Sequence, residues 1–411
     1  MNVTGGPIRV RRAGTVLVAA ACSLTALVGC SSEPATSPAT APASAGTATA
    51  PAPEYNLTGV PGTVLASEDF GARSTELTAT GATLYRFVYE STSGVDGSQT
   101  AVSGVAAVPP GIAPAGGWPI VVYGHGTTGV QADCGPTLYP DLLGYQFAVQ
   151  DFTELGYVTV LPDYQGLGVG GGTHPYLEPR TAGNNMIDAA RAAHTALPEV
   201  STRWAAVGLS QGGQAAWAAN ELASSYGLGL DLVGSVALSP PTDLTPLVRS
   251  GMDGTLTDPQ KELLPYLLYG AQHVDPSIDP KDYSGSVAEA NNELLLTCQG
   301  GDTEAKERAV QAMAPDEFAA DSIESEQRLL DTIGRYTLPQ VRSETPMFVA
   351  YGAKDDIVLP QWTREGVERA CALGDSIVAQ EQPEQGHDVS DEAAMQFLAA
   401  VFAGQSVPST C

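Results

Sequence analysis

The sequence predicts an α/β fold: a mostly parallel, eight-stranded sheet with helices on both faces and an inserted helical cap. Three observations predict it. From about residue 82 onward, short apolar runs alternate with longer stretches of helical period. Several of those runs are continuously apolar and bounded by glycine, as strands buried on both faces are. The alternation stops at about Thr242 and resumes at about Pro346, with a mainly helical pattern between them.

The elements follow in order. Residues 82–91 and 100–108 read as strands joined by a turn rich in Ser, Gly and Asp. Residues 119–123 form a buried parallel strand, and a helical pattern covers 139–155. Strand 158–161, helix 182–197, strand 204–209, helix 213–225 and strand 232–238 come next. Residues 242–344 read as an insertion placed as a cap over the sheet edge. Strand 346–351, helix 361–372, strand 376–380 and helix 391–402 complete the sheet and its cover.

Ahead of this body, residues 1–30 read as an export signal. Arg9, Arg11 and Arg12 supply a positive start, and the apolar stretch that follows is too short to span a bilayer comfortably. It ends in Leu27-Val28-Gly29-Cys30, which resembles a bacterial lipobox in which Cys30 is diacylated and becomes the mature N-terminus. Residues 31–54 are a tether of Pro, Ala, Thr and Ser, too poor in apolar surface to offset the entropy of ordering. Residues 55–411 then form one catalytic domain that includes the cap. The expected location is the outer face of the cell membrane, anchored through Cys30, or free outside the cell.

The formal net charge is −27, and the chain beyond residue 30 holds 16 basic against 46 acidic side chains. Such a surface repels nucleic acid and anionic headgroups and suits a neutral substrate. Four cysteines remain outside the signal: Cys134, Cys298, Cys371 and Cys411. Four in an exported chain suit two disulfides, with three possible connectivities. No CxxC pair or His-rich cluster suggests a metal.

Gly208-Leu209-Ser210-Gln211-Gly212 matches G-x-S-x-G. The apolar strand 205–207 precedes it and an Ala-rich helical stretch follows, which is the strand–turn–helix setting of a nucleophile elbow. A serine hydroxyl needs a base, and the base needs an orienting acid. In an α/β-hydrolase these follow in the order Ser, acid, His. His387, after the last strand, meets that order. Asp355, in Gly352-Ala353-Lys354-Asp355-Asp356, is the acid, with Asp356 the alternative. A developing oxyanion needs two backbone N–H donors. One belongs to Gln211; the other belongs to Gly126 or Thr127, in the loop Gly124-His125-Gly126-Thr127-Thr128-Gly129. His125 and Asp163-Tyr164-Gln165-Gly166-Leu167-Gly168 read as loop-shaping, and His174 lies in a glycine-rich loop able to line a pocket.

Together, Gly-His-Gly-Thr, Asp-Tyr-Gln-Gly-Leu-Gly, Gly-Leu-Ser-Gln-Gly, Gly-Ala-Lys-Asp-Asp and Gly-His resemble the secretory lipase family of fungi and actinobacteria, from about Tyr55 to the end. The resemblance implies ester hydrolysis, a helical cap before the acid strand and a tunnel for acyl chains. By position it also implies the pairs Cys134–Cys298 and Cys371–Cys411. The anchor and long tether depart from a freely secreted enzyme. The expected activity is hydrolysis of carboxylic esters, acylglycerols foremost, without cofactor or metal. A short-chain carboxylesterase is the nearest alternative; a serine peptidase and a non-catalytic binding lipoprotein are more distant. In the insertion, the run 263–269 is either an acyl-binding lid or a helix packed on the core.

Overall fold

The computed structural model of the chain describes residues 55–169 and 172–411. The expected signal, Cys30 and the tether lie outside the described residues.

One sheet organises the body. Its strands are β1 (Val64–Asp69), β2 (Thr83–Thr92), β3 (Gln99–Val108), β4 (Trp118–Gly124), β5 (Val158–Pro162), β6 (Val200–Leu209), β7 (Asp231–Leu238), β8 (Met347–Gly352) and β9 (Ile377–Gln382). They lie in the order β1-β2-β3-β5-β4-β6-β7-β8-β9. Nine strands replace the eight expected. The extra one, β1, escapes a hydrophobicity reading because Ala66, Ser67, Glu68 and Asp69 are exposed. It is an edge strand held by antiparallel pairing to β2. From β5 to β9 the pairing is parallel, whereas β1 to β3 add an antiparallel flank.

The helices are α1 (Thr75–Thr78), α2 (Gln146–Glu154), α3 (Pro179–Ala196), α4 (Gln211–Ala223), α5 (Thr245–Met252), α6 (Asp258–Val274), α7 (Ser286–Ala290), α8 (Asn292–Leu295), α9 (Thr303–Gln311), α10 (Ile323–Gly334), α11 (Pro360–Leu373) and α12 (Glu392–Phe402). The helix expected over 139–155 begins only at Gln146. Before it, Leu142, Leu143 and Gly144 take positive φ, which no α-helix accommodates.

Strands β5 and β8 are buried at every position, because helices cover both sheet faces. On one face α3 and α4 pack through alanines, among them Ala189, Ala193, Ala215 and Ala219. Small side chains let these helices lie close to each other and to the strands. On the other face, Phe397, Leu398 and Val401 of α12 cover Phe348 of β8.

Between β7 and β8 the described elements are helices α5 to α10 and one 3-10 turn. Their apolar faces form a core of their own, with Leu264, Tyr266, Tyr283, Phe318 and Ile333 at its centre. Val130, Tyr176, Leu244 and Val358 join it from loops that follow β4, β5, β7 and β8. The helical segment therefore packs over the carboxyl ends of the parallel strands.

Two disulfides pair as the resemblance implies. Cys134–Cys298 spans 164 residues and ties the loop after β4 to the helical segment. Cys371–Cys411 spans 40 residues and ties α11 to the last residue of the chain. Closing a loop of that smaller size removes about 4 kcal/mol of denatured-chain entropy. The double variant Cys371→Ser/Cys411→Ser is therefore expected to lose about 3 kcal/mol of unfolding free energy in a urea titration. An unchanged midpoint and slope would show that α11 and α12 already hold the terminus.

Candidate active site

In open α/β sheets, ligands bind beyond the carboxyl ends of the strands. The candidate residues all sit there: Gly126 and Thr127 after β4, Ser210 after β6, Asp355 after β8 and His387 after β9.

Ser210 has φ 57° and ψ −119°, a conformation that side chains resist. Its N–H donates to the Leu238 carbonyl at the end of β7, at 2.8 Å. Tight backbone crossings enforce the turn. A Cβ on Gly212 would overlap the Gly124 carbonyl oxygen, and one on Gly208 would overlap the Gly212 carbonyl oxygen. Only glycine lets β4, β6 and the start of α4 approach this closely.

His387 is fixed from two sides. Its Nδ1 lies 2.8 Å from Asp355 Oδ2. Its carbonyl accepts the Ser239 hydroxyl at 2.7 Å. Leu238 and Ser239 are consecutive, so the end of β7 holds the backbones of both Ser210 and His387. The second Asp355 oxygen accepts the N–H groups of Ile357 and Val358, at 2.9 and 3.0 Å. The Asp355 side chain is wholly buried and that of His387 is 17% exposed. A carboxylate only accepts, so Nδ1 carries the proton and Nε2 is left as an acceptor. Asp356 is exposed and contributes its carbonyl to Thr257 at 2.8 Å. Geometry thus places Asp355, not Asp356, against His387. No hydrogen bond joins the Ser210 hydroxyl to His387 among the described residues. Such bonds commonly tighten only when substrate is bound.

Gln211 is the first residue of α4, so helix geometry leaves its N–H without an intrahelical partner. Across from it, Gly126 faces the Tyr145 hydroxyl. Burial pushes that phenol up to about 12. Thr127 is held differently: its hydroxyl lies 2.5 Å from that of Tyr176.

Ser210 opens on an apolar cavity of about 20 Å³. Leu244 and Leu247 of α5, Leu263 and Leu267 of α6, Val358 and Trp362 close around it. Within the run 263–269, Leu263 and Leu267 line this cavity, and Leu264, Tyr266, Leu267 and Leu268 are buried in the helical core, so the run both packs on the core and faces the cavity. The start of α6 is bonded to the acid loop. Thr257 and Gln260 form a capping box, and they also donate to the carbonyls of Asp356 and Ile357 at 2.8 and 3.0 Å. Asp133, Cys134 and Cys298 converge at metal-ligand distances. The two sulfurs are bonded to each other and are not thiolates, so this group is no metal centre.

A secretory lipase family model matches residues 145–409, more than half of the chain. The chain belongs to the secretory lipase family. Among solved structures it is similar to lipase A of Candida antarctica in its closed state, with a TM-score of 0.67 at 17% identity, over 86% of this chain and 84% of that one. It is also similar to the rice cell-wall-degrading esterase LipA of Xanthomonas oryzae, with a TM-score of 0.64 at 20% identity, over 84% of this chain and 95% of that one. At these identities the likeness shows a shared α/β-hydrolase fold. No curated protein sequence matches. Membership makes the chain an ester hydrolase of the lipase and esterase class.

In this member of the secretory lipase family, three contributors to the site carry little signal in the sequence. Ser239 is an ordinary serine in the sequence. Tyr176 carries no motif. The Gln211 side chain is buried and bonded to His174 Nε2 at 2.8 Å. A glutamine where a small residue would suffice is the one available signal, because a buried amide requires a partner.

Two histidines near the site are buried and stay neutral. Burial lowers His125 to about 4, with backbone hydrogen bonds to Gly126 and Asp163 opposing the shift. Burial lowers His174 to about 3, opposed by its hydrogen bond to Gln165. Unfolded, each titrates near 6.5. Below that value the unfolded chain binds protons that the folded chain refuses. Each histidine therefore contributes stability above about pH 6.5 that is lost as the pH falls toward its folded value. Nitrogen NMR of the two rings should show no inflection between about pH 8 and about pH 5. An inflection near 6.5 for either ring would contradict the burial seen here.

Proposed function

We propose that this chain is an exported, lipid-anchored serine hydrolase that cleaves carboxylic esters, acylglycerols foremost, through an acyl-enzyme. The observation that carries the reading is the His387–Asp355 bond at 2.8 Å, in an arrangement where the end of β7 holds the backbones of both His387 and Ser210.

In the proposed reaction, His387 Nε2 takes the proton of the Ser210 hydroxyl as its oxygen attacks the ester carbonyl. The Gln211 N–H and a second N–H stabilise the oxyanion. We assign the second N–H to Thr127, whose side chain is held by the Tyr176 hydroxyl, whereas Gly126 packs against the Tyr145 hydroxyl. Collapse expels the alcohol, which leaves with the proton held by His387. Water, deprotonated by the same histidine, then releases the acid and frees Ser210. Asp355 fixes the tautomer and stabilises the imidazolium.

The lipase reading draws on the family and on the apolar wall around Ser210. A cavity of about 20 Å³ admits no acyl chain, so a lipase requires α6 to move. Pro265 inside α6 removes one helical hydrogen bond, and a cavity of about 520 Å³ lies along the opposite face, beside Leu268 and Tyr269. A short-chain carboxylesterase is the second reading, favoured by the small cavity itself. Export draws on family membership, and anchoring through Cys30 on the lipobox-like sequence. Among the described residues, no helix is long and apolar enough to cross a membrane. Metabolic labelling with a fatty-acid analogue should mark the full chain and not its Cys30→Ala variant; equal labelling of both would exclude this anchor.

Ser210→Ala should lower kcat by about 10⁴-fold or more and abolish labelling by a fluorophosphonate. Retained labelling would remove Ser210 from the reaction. Asp355→Asn should cost about 10⁴-fold in kcat, whereas Asp356→Asn should keep activity within a few-fold of the parent. The reverse order would transfer the role to Asp356. Nitrophenyl esters from acetate to palmitate separate the two substrate readings. Rates that rise with chain length support the lipase, and rates confined to the shortest esters support the carboxylesterase.

A further inference from the structure

The loop that follows β5 carries two buried side chains which the proposed mechanism does not use. His174 and Tyr176 are each 2% exposed. They flank Pro175, and the Tyr176 N–H donates to the His174 carbonyl at 2.8 Å, so a tight turn fixes one side chain relative to the other. Gly166 packs against the His174 backbone so closely that a Cβ there would overlap it. The Tyr164 ring stacks on His174 with centroids 6.0 Å apart. The turn has little freedom to shift.

Each side chain reaches a different wall of the site. His174 Nδ1 lies 2.8 Å from the Gln165 carbonyl oxygen. A carbonyl only accepts, so Nδ1 must carry the hydrogen, which leaves Nε2 as an acceptor. The Gln211 side-chain nitrogen, 2.8 Å from Nε2, supplies the matching donor. One tautomer and one amide orientation satisfy both contacts. The Gln211 side-chain oxygen has no partner among the described residues, so the His174 bond is what holds this amide. On the other wall, the Tyr176 hydroxyl lies 2.5 Å from that of Thr127. Gln211 and Thr127 are the residues whose backbone N–H groups are assigned above to the oxyanion.

We propose that the His174-Pro175-Tyr176 turn is a clamp that sets the separation of the two oxyanion donors, holding Gln211 through His174 and Thr127 through Tyr176. The proposal rests on the assignment of those donors. His174 and Tyr176 are positioning residues that act through Gln211 and Thr127, Tyr176 also lining the cavity beside Ser210. Oxyanion stabilisation depends on donors already in place when charge develops, so a slackened clamp lowers kcat and leaves ester binding almost unchanged.

The test uses His174→Ala, Tyr176→Phe and His174→Gln. The glutamine amide offers a donor and an acceptor at a spacing similar to that of the imidazole nitrogens. The readouts are kcat and KM on a nitrophenyl ester, the inhibition constant of a trifluoromethyl ketone, and fluorophosphonate labelling of Ser210. The ketone forms a hemiketal oxyanion with the serine and so reports the donors directly. His174→Ala and Tyr176→Phe should each lower kcat by about ten- to a hundredfold. KM should stay within a few-fold, and ketone affinity should fall by the same factor as kcat. His174→Gln should recover most of both losses. Folded variants with parental kcat and ketone affinity would overturn the clamp, as would a rise in KM alone. If His174→Ala does not fold, Tyr176→Phe and His174→Gln decide, since the first removes one oxygen and the second retains both hydrogen-bonding roles. Ser210→Ala separates the two levels of the argument. Turnover in that variant defeats the underlying mechanism, whereas an inactive Ser210→Ala beside unaffected clamp variants defeats the clamp alone.

Discussion

The close crossing of β4, β6 and the start of α4 is the constraint on which the rest of the site depends. Gly212 lies against the Gly124 carbonyl with no room for a Cβ, and Gly208 lies equally close to Gly212. That contact places the loop after β4 beside the turn after β6, so the Gly126–Thr127 backbone and Ser210 are neighbours before any side chain is considered. The strain at Ser210, with φ 57°, is sustained because the surrounding backbone over-determines it. Its N–H is bonded to Leu238, the helix begins at the next residue, and buried alanines of α4 press the helix onto the sheet. Strain of this kind costs about 1–3 kcal/mol, less than the burial of a few apolar side chains contributes.

Around this crossing, polar groups are divided between those left near water and those that hold the loops together. His387 is partly exposed, has a buried carboxylate at Nδ1 and keeps Nε2 free. His125 and His174 have no exposed surface to speak of, and burial keeps them neutral. The same side-chain type thus serves opposite ends. His387 is left near water beside a carboxylate, whereas His174, held between the Gln165 carbonyl and the Gln211 amide, is sealed away from both. Asp163 belongs to the holding class: fully buried, it accepts from the Ser103 and Thr137 hydroxyls, at 2.5 Å each, and from the Thr137 N–H at 2.8 Å. It ties the loops after β4 and β5 to β3.

The parallel sheet was legible because β5 and β8 are wholly buried and read as continuous apolar runs. The edge strand β1 was not, because its stability comes from backbone pairing to β2 and not from its side chains. At the site, the elbow, the oxyanion loop and the histidine loop are visible as glycine-bounded motifs, since close backbone approach leaves a mark in composition. Asp355 and Asp356 were hard to separate because one residue of offset decides which carboxylate turns inward. That choice rests on the Ile357 and Val358 N–H groups that capture Asp355. His174 was legible only as a residue able to line a pocket, and Tyr176 not at all, for another reason. Their partners, Gln211 and Thr127, are distant in sequence, and neither contact follows a period or a spacing rule.

The cap adds a coupling that the catalytic residues alone do not reveal. The side chains that start α6, Thr257 and Gln260, are bonded to the carbonyls of Asp356 and Ile357, whose neighbours orient Asp355. About one and two turns beyond Gln260 on the same helix, Leu263 and Leu267 close the cavity beside Ser210. One end of α6 is therefore fastened to the loop of Asp355 while its middle closes the cavity beside Ser210. A movement of α6 large enough to admit an acyl chain must either break the two bonds to the acid loop or bend at Pro265 and leave them intact. Bending is the cheaper course, because proline has already removed the hydrogen bond that a bend would break. The cavity beside Leu268 and Tyr269 gives the bent part room to move. On this view the amino-terminal turn stays with the acid loop, and Asp355 keeps its hold on His387 whether the cavity is open or closed.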